Sequence, residues 1–313
     1  MNVSNRWTLV GPGAIGLYYG GLLAKSGIRL QILGRSDCAA LQANGITLRM
    51  MEVNSGKLDV DYRILPEAVE REASSIGAAD CVVIAAKATA NQDLLPALQA
   101  LVRPERTTLL TLQNGMGNID FLERHFPDNP ILAGLCFVCV NRVAPAVVEN
   151  YLPGRVEVGS LGDRYPEAVD EVVAAFIHAG VKCRQAPALD AAVWRKLCWN
   201  IPFNGLSIAA GGITTDHILA DSTLVSRARK LMQELQQAAA LQGYTIEDTF
   251  LQGQFDATAK MGAYRPSSLI DFLEGRAVEV EAIFGEPLRR GQALGLEMPE
   301  LQKLYQEVAD RTL

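Results

Sequence analysis

The chain opens on an apolar run, Trp7-Thr8-Leu9-Val10, that passes directly into Gly11-Pro12-Gly13-Ala14-Ile15-Gly16 and then into a helical pattern from Leu17 to Ser26. A short unbroken apolar run that ends on glycine predicts a strand buried on both faces. Gly27 stops the helix, and Ile28 to Leu33 reads as a second strand ending in Gly34-Arg35-Ser36. From Gly45 to Leu65 the pattern alternates, with Asn54-Ser55-Gly56 as a hairpin turn, which predicts an added ribbon rather than a crossover helix. Asp80 to Ala86 is a buried strand ending at Lys87, followed by a helix over Gln92 to Val102; Thr107 to Leu112 is another strand, ending in Gln113-Asn114-Gly115-Met116-Gly117. Further strands are expected at Ile131 to Val140, Arg155 to Gly159 and Val181 to Gln185, with a helix over Pro166 to Ala179. Past Pro187 strand signals cease, and helical periodicity fills Ala188 to Ala210, Ser222 to Gln242 and most of Ser267 to Leu313.

The glycine turn sits between a strand and a helix, the setting in which GxGxxG carries meaning. Gly11 permits the tight turn, Gly13 lets a pyrophosphate approach the backbone, and Gly16 lets helix and strand pack closely, while the first helix amides face the anion. The expected fold is α/β: a Rossmann-type dinucleotide-binding domain over residues 1–187, followed by an all-α C-terminal domain over 188–313 that carries substrate and catalytic groups. The end of the second strand selects the cofactor. An acid there would bind the ribose 2′-hydroxyl of NAD and repel the 2′-phosphate of NADP. Arg35 and Ser36 stand there instead, and a guanidinium makes forked, charge-assisted contacts with a phosphate, so NADPH/NADP+ is expected. The alternative is an Arg that only faces solvent.

A chain of 313 residues with 49% hydrophobic content is long enough for two cores. The formal charge of −6, with no block of like charges, argues against a nucleic-acid surface and leaves a small molecule as the partner. Cys38, Cys81, Cys136, Cys139, Cys183 and Cys198 are scattered through apolar runs, and Met1 to Arg6 carries no leader-like segment, which together read as a cytoplasmic protein with reduced thiols. Cys136 and Cys139 have CxxC spacing but no second pair or neighbouring His, so no metal site is expected. No apolar stretch reaches membrane-spanning length. The apolar C-terminal helices are of a kind that supports a homodimer, though nothing in the sequence requires one.

The most concentrated chemistry lies in Val193-Trp-Arg-Lys196-Leu-Cys-Trp-Asn200-Ile-Pro-Phe-Asn204. On a helix Lys196, Asn200 and Asn204 share one face among large apolar neighbours, which would leave the ammonium partly desolvated. Taken alone, the stretch reads more simply as a lysine snorkelling to solvent from a core helix with two asparagines capping it. Lys87 and Asn114 stand at carboxyl ends of strands, where an open α/β sheet binds its ligand, or else as a solvated lysine and an ordinary Asn-Gly turn. Ser267 starts a helix after Pro266, as an N-cap or as a group that holds a substrate carboxylate. Glu279 lies in a charged run with Glu274, Arg276 and Glu281 that by composition is a solvated face.

These stretches together resemble the ketopantoate reductase family along nearly the whole chain. The motifs are Gly11-Pro-Gly-Ala-Ile-Gly16, Lys87, Asn114-Gly-Met-Gly117, Trp194-Arg-Lys-Leu-Cys-Trp-Asn200 with Asn204, and Arg265-Pro-Ser-Ser-Leu-Ile-Asp271 leading through Gly275-Arg276 to Glu279. The resemblance implies NADPH-dependent reduction of the 2-keto group of ketopantoate to pantoate, a step toward pantothenate and coenzyme A. It implies Lys196 as proton donor and Asn200, Asn204 and Ser267 as substrate contacts. Lys87 and Asn114 would serve cofactor and substrate, Glu279 would lie near both, and the backbone at Val140 would touch the cofactor. No His lies near these motifs, which argues against a His-centred proton relay. Two departures touch substrate recognition: Gly205 replaces the proline usual after the second asparagine, while Pro202 enters the helix earlier and is expected to kink it, turning Asn204 relative to Lys196. The segment Ala209 to Asp216 also lacks the family's usual further polar substrate contact, for which Thr214 is the candidate replacement. A reductase of a different 2-keto acid, and an NADPH-binding sensor without turnover, are the other readings.

Overall fold

The computed structural model describes residues 6–52 and 55–312. The leader-free reading of the first residues, and Asn54 of the expected hairpin turn, lie outside the described residues. The chain divides into two compact units: one takes the residues up to Gln113 together with Asn118–Leu189, the other takes Asn114–Gly117 and the residues from Asp190 onward.

In the first unit the elements are β1 (Arg6–Val10), α1 (Ala14–Lys25), β2 (Arg29–Leu33), α2 (Cys38–Asn44), β3 (Ile46–Met51), β4 (Leu58–Ile64), β5 (Ala68–Glu70), α3 (Ala73–Ile76), β6 (Cys81–Ile84), α4 (Asn91–Leu101), β7 (Thr108–Thr111), α5 (Asn118–His125), β8 (Ile131–Ala144), β9 (Val147–Gly159), α6 (Pro166–His178) and β10 (Cys183–Gln185). Among the described residues these strands form one sheet in the order β4-β3-β9-β8-β7-β6-β1-β2-β5, with β10 also on β9. The run β5-β2-β1-β6-β7-β8 is parallel throughout. Taken without the β3–β4 insertion, it has the strand order of a dinucleotide-binding sheet, with the direction of winding reversing between β1 and β6. β6 is buried along its length and β1 beyond Arg6, as a sheet covered on both faces requires. The core of this unit joins Leu9, Ile32, Val83, Leu110 and Leu132 of the parallel strands to Leu17, Tyr19 and Leu23 of α1.

The expected ribbon over Gly45 to Leu65 is the antiparallel pair β3–β4, with β3 also running parallel to β9. The strands expected at Ile131 to Val140 and Arg155 to Gly159 are the ends of a longer β8–β9 hairpin. Pro145, Pro153 and Gly154 hid this hairpin in the sequence, since proline and glycine read as strand breakers. Here they fall at the turn and at irregularities in register, and Gly154, at φ +61°, brings its backbone so close to the Phe137 carbonyl that a side chain has no room. Helix α2 was also not legible: it buries only Cys38 and Leu41, too few positions to show a period.

The second unit contains α7 (Leu189–Ala209, beginning at the junction), α8 (Thr215–Ala220), α9 (Ser222–Leu241), α10 (Asp248–Ala259), α11 (Ser267–Leu273), a π-helical turn (Glu281–Gly285) that continues into α12 (Glu286–Ala293), and α13 (Pro299–Thr312). Its core gathers Trp194, Leu197, Ile201 and Phe203 of α7 with Leu231 and Leu235 of α9, Phe284, and Leu301 and Leu304 of α13. α10 escaped the sequence pattern because it buries only the narrow stripe Leu251, Phe255 and Thr258. α7 continues through Pro202 to Ala209. Gly205 has a packing reason: a Cβ there would lie 2.5 Å from Leu304 and 2.8 Å from Phe284.

Candidate active site

In the sheet unit the glycine turn is built by close approach. Gly11 has φ +87°, and a Cβ on it would lie 2.3 Å from the Ala86 nitrogen, so the turn after β1 rests against the end of β6. Both features exclude any other residue. A Cβ on Gly16 would lie 2.5 Å from the Gly11 carbonyl oxygen and 3.1 Å from Ala85 and Leu9, which is helix packed on strand. Gly13 differs: a Cβ there would meet nothing within 4 Å. Ala14 and Ile15 open α1, which has no acid in its first turn and no side-chain cap. Its leading amides and positive dipole end therefore suit an anion, and the open space beside Gly13 suits a pyrophosphate at the backbone.

Arg35 and Ser36 are exposed at the end of β2, while Asp37 is 3% exposed. Asp37 accepts two hydrogen bonds from Arg142 Nη1, each 2.9 Å, and one of 3.0 Å from the Ala146 amide. The acid nearest the strand end is thus turned inward and neutralised, with the Ser36 hydroxyl also donating to Asp37 Oδ1 at 3.1 Å, which leaves the Arg35 cation outward. Arg142 was not singled out in the sequence, because its partner lies more than a hundred residues away and nothing local signals the pairing.

Lys87 follows β6 and is half-buried. Around it runs a polar lattice: Gln113 donates to the Ala86 carbonyl at 2.9 Å and to Asn91 Oδ1 at 2.7 Å, and Asn91 donates to Asn118 at 3.1 Å. Gln113 and Asn91 also escaped the sequence reading; a polar residue ending a buried strand was the available signal. Val140 lies on the part of β8 that extends past Ala133, the last residue paired with β7.

In the helical unit the structure brings Lys196 and Asn114 together: the Lys196 ammonium donates to Asn114 Oδ1 at 2.8 Å. Lys196 is half-buried, while Trp194, Leu197, Ile201 and Phe203 of the same helix are each no more than 1% exposed. Burial of this apolar wall also pushes the Cys198 thiol up to about 12. Asn200, one turn on, is half-buried. Asn204 is 2% exposed; its amide donates to the Asn200 carbonyl and accepts from the Ser268 amide, each at 2.9 Å. Asn204 therefore braces the start of α11, whose first residue, Ser267, is exposed. Glu279 lies in the coil before the π-helical turn, half-buried, and its carbonyl accepts from the Ile283 amide at 3.0 Å. The Thr214 hydroxyl is held by Asp216 and by His217 Nδ1. No group of His, Cys, Asp or Glu suited to a metal ion occurs among the described residues, and no helix among them is long and apolar enough to cross a membrane.

A glycine-turn dinucleotide-binding sheet joined to an all-α unit that carries a lysine–asparagine pair defines a class, the two-domain Rossmann-type oxidoreductases. Comparison with known proteins narrows it. The family described as Ketopantoate reductase PanE/ApbA matches residues 7–163, and its C-terminal counterpart matches 188–312. The 2-dehydropantoate 2-reductase of Nostoc sp. is 32% identical over 308 residues, covering 97% of this chain and 94% of that one. The solved 2-dehydropantoate 2-reductase of Geobacter metallireducens GS-15 is 36% identical with a TM-score of 0.91, covering 97% of this chain and 99% of that one. That of Methylococcus capsulatus is 32% identical with a TM-score of 0.84, covering 96% and 94%. The chain belongs to the ketopantoate reductase family and is an oxidoreductase.

Proposed function

We propose that the protein reduces 2-dehydropantoate (ketopantoate) to pantoate with NADPH, in the pathway to pantothenate and coenzyme A, as a cytoplasmic enzyme. The sheet unit is the NADP-binding domain and the helical unit the substrate domain. The observation that carries this reading is the half-buried Lys196 ammonium on Asn114 Oδ1, 2.8 Å away. Bound NADPH supplies a hydride to the C2 carbonyl carbon. Negative charge then builds on the ketone oxygen, and a cation already in place stabilises that charge more in the transition state than in the ground state. Lys196 is that cation, and it gives the oxygen its proton. Asn114, accepting from the ammonium through a neutral carbonyl, fixes its direction without cancelling its charge. Asn200 and Ser267 hold the substrate, with Asn204 beside them. Arg35 and Ser36 read the 2′-phosphate; the Gly11 to Gly16 turn holds the pyrophosphate; Lys87, Asn114, Glu279 and the Val140 backbone complete the cofactor contacts.

The test is cofactor oxidation by the purified protein with ketopantoate, run beside NADH, other 2-keto acids and Lys196→Ala. General acid catalysis contributes about 10²–10⁴-fold, so the variant should lose kcat by that factor while retaining NADPH binding. A variant as active as the wild type would remove Lys196 from the mechanism. A reductase of another 2-keto acid is the second reading, favoured by Thr214, whose hydroxyl is engaged by Asp216 and His217. Turnover of another keto acid alone would keep the chemistry and change the substrate; cofactor binding without any turnover would leave a sensor.

A further inference from the structure

The segment Asn114–Gly117 clusters with the helical unit, and the reason lies in a single proline. In the π-helical turn the Glu286 amide is spent on the Glu281 carbonyl, five residues back. The carbonyl of Ala282 would take its bond from residue 287 in the same pattern, but Pro287 has no N–H to give. It is an orphaned acceptor inside the helix, and such a buried group needs a partner. The Met116 amide supplies one, donating to Ala282 O at 2.8 Å, and the Met116 side chain is 8% exposed in the helical core. The approach is close enough that only glycine fits beside it: Gly115 has φ +86°, and a Cβ there would lie 2.2 Å from the Ala282 oxygen. One residue before Gly115 stands Asn114, whose Oδ1 takes the Lys196 ammonium.

We propose that Pro287 and Gly115 are positioning residues for Lys196: Pro287 reserves the Ala282 carbonyl for Met116, Gly115 lets the segment dock on it, and the docked segment sets Asn114 against the lysine. Single π-turns inside helices are frequent at functional sites. The importance of Lys196 to turnover rests on the reading above; the docking itself does not.

The experiment uses Pro287→Ala, which supplies an N–H that competes for the Ala282 carbonyl, and Gly115→Ala, which blocks the approach. Each full-length protein is acylated with a limiting amine reagent at neutral pH and the modification of every lysine is read by mass spectrometry, without substrate or cofactor. A hydrogen bond to a charged group is worth about 1.5–3 kcal/mol, so freeing Lys196 from Asn114 should raise its acylation rate roughly tenfold or more. Lys230 and Lys303, exposed on α9 and α13, should keep their wild-type rates. A rise at Lys196 in Pro287→Ala supports the proposal even if Gly115→Ala does not fold. An Lys196 rate unchanged from wild type in Pro287→Ala overturns it, as does a rise shared equally by all lysines, which marks general loosening. If wild-type protein fails to turn over ketopantoate, the proposed substrate falls while this outcome still stands or falls on the labelling.

Discussion

In the proposed function, Arg35 is the residue on which cofactor choice turns. It stands exposed at the end of β2, and the acid that could oppose it, Asp37, is buried under Arg142 and the Ala146 amide. A phosphate on Arg35 would make charge-assisted bonds about twice as strong as neutral ones. Arg35→Ala should therefore raise KM for NADPH roughly tenfold or more and leave KM for NADH and kcat nearly unchanged. Equal losses with both cofactors would take Arg35 out of phosphate recognition. Arg35 was visible in the sequence because it sits at a fixed place after a strand. Arg142 was not, because the pair is made by the meeting of β8 with the β2–α2 loop.

Helix α7 shows what one element asks of its residues. Trp194, Leu197, Ile201 and Phe203 are buried, and both of its tryptophans have their indole N–H satisfied, Trp194 by Gln242 at 2.7 Å and Trp199 by Thr258 at 2.9 Å. At Gly205 the helix lies against Phe284 and Leu304 with no space for a methyl group. Gly205→Ala gains helix propensity of about 1 kcal/mol but overpacks a core at a cost of typically 1–3 kcal/mol, so the contact decides the sign. The variant should melt at a lower temperature in a thermal scan; a higher melting temperature would mean that Leu304 moves aside freely. The helix and the face holding Lys196, Asn200 and Asn204 were legible from spacing alone. That Asn204 spends its amide on the Ser268 N–H was not, since α11 arrives from 64 residues further along the chain.

Across the molecule each unit buries thiols of its own, while Cys139 and Cys183 stay partly exposed. Among the described residues the six cysteines are thiols rather than disulfides. Cys81 lies in the core of the sheet unit and Cys198 in that of the helical unit, and burial pushes both thiols upward, Cys198 to about 12. Only the thiolate attacks an alkylating reagent. At pH 8 that leaves Cys198 protonated, and its thiolate grows only as pH climbs toward the shifted value. Native protein at pH 8 should leave Cys81 and Cys198 unmodified by iodoacetamide, and guanidinium should expose both. Rapid native labelling of either would show that its core opens readily.

The sequence by itself determined the local grammar: a strand, a glycine turn and a helix at the start, an arginine in place of an acid after β2, and a lysine with two asparagines on one helical face. These rest on spacing of a few residues, and periodicity records such spacing directly. The tertiary structure decided which distant groups share a bond. Nothing in the runs themselves says that Asp37 is taken by Arg142, that Pro153 and Gly154 interrupt a hairpin without ending it, or that Pro287 frees a carbonyl for Met116. Each depends on a backbone or carboxylate group that must find a partner once buried, and which partner it finds is fixed only when the chain has closed around it.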